Sequence, residues 1–164
     1  MTDARFEDGA ERPLRLIARD ADDLRVLSAL VQDSVLTGAD FQYQRARRRF
    51  SVLLNRFRWE DQAQAKAAGR RVERVRSVLD FSDVTAVAHQ GLERDGETIL
   101  SLLSIAYVPQ VEVGADEPAG PGRVVLTFAG DGALALSVEC LEVELSDVTR
   151  PYAAPSGKTP SHGD

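Results

Sequence analysis

Gln42-Tyr43-Gln44-Arg45-Ala46-Arg47-Arg48-Arg49-Phe50-Ser51-Val52-Leu53-Leu54-Asn55-Arg56-Phe57-Arg58-Trp59 is the stretch from which the fold unrolls. Phe41 and Tyr43 alternate with Gln42 and Gln44, and Phe50, Val52 and Leu54 alternate with Ser51, Leu53 and Asn55. A period of two puts one set of side chains on each face of a strand, so these runs are half-buried strands. The arginines between them form an exposed turn, and residues 41–60 are expected to be a β-hairpin. The apolar phase then shifts to Phe57 and Trp59, which predicts a bulge or strong twist near Asn55. On this reading Phe57 and Trp59 face the core while Arg56 and Arg58 face water.

Upstream, Leu14, Leu16 and Ala18 alternate in a short strand. Asp20 follows at an N-cap position with Asp22 and Asp23 in the first turn, where carboxylates accept free backbone N–H groups and complement the helix dipole. Leu24, Leu27, Leu30, Val31 and Ser34 make one stripe, so residues 21–35 read as an amphipathic helix with Gly38 as a stop signal. Downstream, residues 61–70 lack an apolar stripe and are expected to be a solvated loop with at most a frayed turn. Residues 72–89 are rich in β-branched residues and give one long or two short strands. Asp95-Gly96 supplies a turn. The run from Thr98 to Val108 is nearly continuous apolar and suits a central strand or a short helix, ended by Pro109. Three prolines and three glycines make residues 109–122 a long loop. Val124, Leu126 and Phe128 and then Leu134, Leu136 and Val138 alternate on either side of Gly130-Asp131-Gly132, a hairpin signal. Residues 139–147 fit a strand or a helical stripe, and a strand passing into a short C-terminal helix is expected.

These elements give an α+β domain: a mostly antiparallel sheet of about six or seven strands with one N-terminal amphipathic helix. Its hairpins are compatible with rolling into a pleckstrin-homology-like barrel, an analogy of fold that carries no function. Residues 1–12 are expected to be a flexible tail, 13–149 a single domain and 150–164 a disordered, proline-bearing tail.

A chain of 164 residues is long enough for one domain with a core that needs no staples. An apolar content of 43% and a charged content of 28% exclude global disorder. Cys140 is the single cysteine, so no intrachain disulfide can form. No apolar run approaches the ~20 residues that span a bilayer, and residues 1–12 lack a signal-peptide core, so a cytoplasmic address without membrane contact is expected.

Catalytic and metal signatures are missing. His89 and His162 are the only histidines, and a lone His at a strand end is most simply a rim residue. Cys140 in an alternating run reads as a small core residue. With no C-x-x-C and no His pair, a structural zinc site is excluded. The pairs Glu60/Asp61, Asp80/Asp83 and Glu142/Glu144 read as solvated carboxylates, not the contrasting pair that acid–base chemistry needs. No glycine-rich nucleotide fingerprint occurs. No cofactor is implied, and the pattern points away from an enzyme.

Charge is the exception. The net charge is −6, yet residues 45–76 hold eleven of the twenty basic groups against three acids, making that window +8 and the remainder −14. A ribbon so segregated fits phosphate, nucleic acid, an acidic partner or the protein's own acidic half.

Several phrases carry a resemblance: Leu14-Arg15-Leu16-Ile17-Ala18-Arg19-Asp20, Arg49-Phe50-Ser51-Val52-Leu53-Leu54-Asn55-Arg56-Phe57-Arg58-Trp59-Glu60, Ile99-Leu100-Ser101-Leu102-Leu103-Ser104-Ile105, and Leu126-Thr127-Phe128-Ala129-Gly130-Asp131-Gly132 with Val138-Glu139-Cys140-Leu141-Glu142. Together they resemble a family of small alphaproteobacterial proteins classed as a domain of unknown function, over roughly residues 13–150. The resemblance implies a bacterial cytosolic protein and carries over no functional residue.

The expectation is therefore a non-enzymatic binding or protein-interaction module, a homodimer in one version. Its surface is Arg45, Arg47, Arg48, Arg49, Arg56, Arg58 and Trp59, and its partner is an acidic protein or a second copy. A second possibility is a single-stranded nucleic-acid surface in which Phe57 and Trp59 stack beside Arg56 and Arg58. A third is a site for a phosphorylated small molecule, which would need His89 or the Asp80/Asp83 pair to meet arginines in a pocket.

Overall fold

The computed structural model describes residues 13–153 apart from 70, 94, 113, 115, 116 and 118. The strands are β1 (Arg15–Ala18), β2 (Ser34–Thr37), β3 (Phe41–Gln44), β4 (Arg49–Phe57), β5 (Glu73–Phe81), β6 (Val84–Gln90), β7 (Ile99–Pro109), β8 (Gly122–Phe128), β9 (Ala133–Val138), β10 (Val143–Asp147) and β11 (Tyr152–Ala153). The helices are α1 (Ala21–Leu30) and α2 (Gln62–Ala67). All eleven strands join one sheet in the order β1-β10-β5-β4-β2-β7-β8-β9-β6, with β3 added to β4 and β11 to β5. Every pairing is antiparallel. Among the described residues no helix is long and apolar enough to cross a membrane. The expected tails, residues 1–12 and most of 150–164, lie outside the described residues, as does His162.

Two parts of the expected fold are corrected. The sheet has eleven strands, not six or seven, and it does not close into a barrel. The extra strands are short ones hidden by their neighbours. Asp20 caps the helix as expected, its carboxylate accepting the Asp23 N–H at 2.7 Å. The helix nevertheless ends at Leu30. Asp33 adopts a left-handed φ of 64° and its N–H donates to the Leu102 carbonyl at 2.8 Å, starting β2 against β7. Ser34 keeps the helical spacing of Leu24, Leu27 and Val31 and is buried like them, but as the first residue of a strand. The sheet pairing outweighs the local stripe, the usual tertiary override of propensity. Residues 139–147 contain no helix: 139–142 turn and 143–147 are β10.

The barrel fails to close at the β5–β6 corner. Ser82 and Asp83 (φ 57°) send β6 away from β5 to pair with β9. At the corner the Val84 N–H donates to the Arg48 carbonyl at 2.8 Å, and the Tyr43 hydroxyl donates to the Val84 carbonyl at 3.1 Å. Beyond Val84, β6 pairs with no strand except β9 among the described residues. A seam is left open between β3 and β6.

The core follows from cross-strand registry. Phe50, Phe81 and Val143 stand in one row across β4, β5 and β10; Val52, Leu79 and Leu145 form the next. All six are buried, and aligned apolar rows of this kind are the stabilising unit of a sheet. The third row is Leu54, Ser77 and Asp147, where the core turns polar. A satellite cluster of Phe57, Ala65 and Val72, with Trp59 packed on it, lies elsewhere. It corrects the expected solvated loop at 61–70, since α2 forms there and buries Ala65 completely.

Candidate functional site

The arginine ribbon is not one surface. No bulge occurs near Asn55: β4 pairs with β5 residue for residue from Phe50 to Phe57. Arg56 therefore stays in phase with Phe50, Val52 and Leu54 and is fully buried at the polar end of their row. Its guanidinium forks onto Glu60 with two bonds of 2.8 Å and onto Asp147 with bonds of 3.1 and 3.0 Å. Ser77 Oγ donates to Asp147 at 2.7 Å, and the Leu14 N–H donates to the same carboxylate at 2.9 Å. Burial alone would raise the Glu60 carboxyl, but the hydrogen bonds and charge of Arg56 outweigh it and hold Glu60 below its ordinary value.

Arg58 is also buried, with Glu73 at 2.8 Å and Asp61 at 3.4 Å. Trp59 is half-buried, its indole N–H donating to the Gln32 carbonyl at 2.9 Å and its ring 5.3 Å from Phe57. The expectation that Arg56 and Arg58 face water is thus overturned. The stacking surface imagined for nucleic acid has its guanidiniums inside the protein. A charged group enters a core phase when acids meet it there, and four acids do so here, Glu60 and Asp147 for Arg56 and Asp61 and Glu73 for Arg58. Arg48 is claimed as well, by Glu139 at 2.5 Å. Asp147 and Glu139 come to these three arginines from the acidic remainder of the chain, whereas Glu60, Asp61 and Glu73 are the three acids of the basic window itself.

Arg45, Arg47 and Arg49 remain exposed around the short 3-10 turn at Arg45–Arg47, and none is ion-paired among the described residues. Arg45 lies 5.7 Å from the Tyr43 ring and lines a cleft of about 280 Å³ in the open seam. Phe41, Tyr43 and Phe50 form one wall, Val87 and His89 of β6 the other, with Leu92 and Leu134 completing it. A chain of ring contacts stiffens the wall: Phe81 to Phe50 at 6.3 Å, Phe50 to Phe41 at 5.9 Å, and Phe41 edge-on to Phe128 at 6.1 Å. Such a cleft can take an apolar group and place an anionic one beside Arg45, and its volume sits near the lower end for binding pockets. The sequence named Arg45 and raised His89 as a pocket residue. It gave no sign that Phe41, Tyr43, Val87, Leu92 and Leu134 would gather around them, because the gathering depends on the β5–β6 corner.

The remaining polar candidates are engaged on the surface. Asp80 accepts from Ser51 at 2.5 Å, Glu142 pairs with Arg19 at 3.1 Å and Glu144 with Arg15 at 2.5 Å. Among the described residues no cluster of His, Cys, Asp and Glu could hold a metal. Cys140 is exposed in the β9–β10 turn, which corrects the expected core cysteine. Its thiol donates to Asp83 at 2.9 Å, and that bond, followed by burial, pushes its pKa from 9.0 to about 11. Thiolate at neutral pH should fall roughly 100-fold, and after allowance for the higher nucleophilicity of a more basic thiolate, iodoacetamide should react about tenfold slower than with an ordinary surface cysteine. Asp83→Asn keeps a residue tolerant of left-handed φ and should restore most of the rate in a timed alkylation followed by mass spectrometry.

An open, wholly antiparallel sheet whose seam holds an aromatic cleft under an arginine-bearing turn defines a β-sheet protein with a built cleft and no catalytic constellation among the described residues. The chain belongs to the family described as Protein of unknown function (DUF2948), which it matches over residues 14–162. No curated protein and no solved structure matches it.

Proposed function

We propose that the protein is a non-enzymatic binding module that takes an acidic segment of a partner protein at the open seam. The observation that supports this reading is the division of the ribbon. Three arginines are paired with the protein's own acids, whereas Arg45, Arg47 and Arg49 are left exposed, with Arg45 lining the aromatic cleft. Opposite charge would supply encounter rate and orientation, and an apolar side chain seated against Phe41, Tyr43 and Phe50 would supply residence. The test is fluorescence anisotropy with a labelled synthetic peptide alternating Glu with Val or Phe. The triple variant Arg45→Glu, Arg47→Glu, Arg49→Glu should weaken binding at least tenfold while shifting the thermal midpoint by only a few degrees, because all three side chains are exposed and none forms an ion pair among the described residues. Equal binding by the two proteins would sink the reading. A second reading, a phosphorylated small molecule held between Arg45 and His89, is favoured by their sharing of one cleft. It predicts that phenyl phosphate binds and the peptide does not.

A further inference from the structure

Edge strands offer a row of unpaired N–H and C=O groups, and natural sheets blunt them with charge, proline, short length or bulges. The two ends of this sheet differ in that respect. β1 has four residues, carries Arg15 and is followed by Arg19, both ion-paired to the neighbouring β10 segment. β6, at the other end, has seven residues, Val84-Thr85-Ala86-Val87-Ala88-His89-Gln90, with no Asp, Glu, Lys, Arg or Pro. Its one irregularity is the register shift between Val84 and Ala86. Val84 is already engaged by Arg48 and Tyr43, and from there to Gln90 the second edge of β6 pairs with no strand among the described residues. Thr85, Ala86, Ala88, His89 and Gln90 are all exposed.

The cleft lies along this same stretch, since Val87 and His89 form one of its walls and Arg45 stands across from them. We infer that β6 is a docking edge: an extended acidic segment of a partner protein adds to it as a further antiparallel or parallel strand. Main-chain bonds to residues 85–90 supply affinity, and the two-residue period of the added strand divides its side chains. One set enters the aromatic cleft and must be apolar. Acidic side chains flanking it meet Arg45 and the turn that carries it, where Arg45 and Arg47 are exposed and form no ion pair among the described residues. An uncharged edge is what such a guest requires, because a fixed acid on β6 would repel it and a fixed cation would bind its carboxylates out of register.

This inference rests on the proposed binding at the seam, and a pair of probes separates the two. The same Glu/Val/Phe peptide is made in two forms, N-methylated on its odd or its even backbone amides, and each is titrated against the full chain. A strand uses only alternate amides toward its neighbour, so one series should lose binding at least tenfold while the other changes less than twofold. Amide exchange of the full chain, saturated with the unmethylated peptide, should slow at least tenfold within residues 85–90. If the unmethylated peptide binds but both methylated series behave alike and no β6 amide is protected, strand addition is wrong and binding through side chains in the cleft stands. If the unmethylated peptide fails to bind, both readings fall.

Discussion

Asp147→Ala is expected to destabilise the protein by about 3–5 kcal/mol, the cost of breaking a buried ion pair from one side. The side chain of Asp147 is 3% exposed and that of Arg56 0%, so water cannot replace what is lost. Four donors converge on the Asp147 carboxylate: Arg56 Nε and Nη2, the Ser77 hydroxyl and the Leu14 N–H. Those groups belong to β4, β5 and the residue before β1, so the variant removes bonds from three segments at once and leaves the buried Arg56 with Glu60 as its only carboxylate. At this chain length the loss should lower Tm by about 10 °C, at roughly 2–4 °C per kcal/mol. Trp59, the only tryptophan, reports unfolding in urea. Arg56→Met with Asp147→Leu should cost less than the two single changes added together, because each single change takes from the other buried charge a partner it needs. A loss under about 1 kcal/mol for Asp147→Ala would mean that the pair does not hold the polar end of the core. The network also has an acid limit. Arg56 holds the Glu60 carboxyl below the ordinary 4.5, so Glu60 contributes stability in full above that pH and loses it as pH falls through the lowered value. In Arg56→Met the Glu60 part of this acid-side loss should disappear.

The sequence contained more of this network than its alternation seemed to show. Phe50, Val52 and Leu54 point directly to Arg56, and Val143 and Leu145 point to Asp147, each one step further along the same period. The phase was legible; the assumption that arginine faces water required an imaginary bulge to break it. Opposite charges terminating two core-phase strands are a readable sign of a buried pair, since neither is tolerable inside without the other. The β3–β4 and β8–β9 hairpins were legible because their turn residues and both strands lie within one short window. β2 was not, because four residues show only two inward side chains, Ser34 and Leu36, and the first of them coincides with the helical stripe before it. The seam was illegible for a different reason. It exists because β6 pairs with β9, more than forty residues away, and not with β5 beside it, and alternation within a strand says nothing of which neighbour it will choose.

Phe50→Ala should be the other costly change, because Phe50 serves the core and the cleft together. It is 3% exposed, stands in row with Phe81 and Val143, and touches the rings of Phe41, Tyr43 and Phe81. Truncating a buried phenylalanine typically costs about 3–5 kcal/mol, the transfer of its ring plus the cavity left behind. Two opposing features set where this site falls in that range. One side of the ring already borders the cleft, so part of the new space joins existing space instead of opening a sealed void. Its neighbours, however, are themselves pinned, Phe41 by Phe128 and Tyr43 by its bond to Val84, which limits collapse into the gap. About 3 kcal/mol is therefore expected in urea denaturation with an unchanged m-value, and Phe50→Leu should recover most of it. The functional consequence separates the two roles of the ring. If the cleft anchors an apolar side chain of a bound segment, the folded Phe50→Leu protein should still bind the Glu/Val/Phe peptide more weakly than wild type, with its salt dependence intact because Arg45, Arg47 and Arg49 are untouched. Peptide affinity equal to wild type in Phe50→Leu would show that the cleft is a by-product of the open seam and that the arginine turn binds alone.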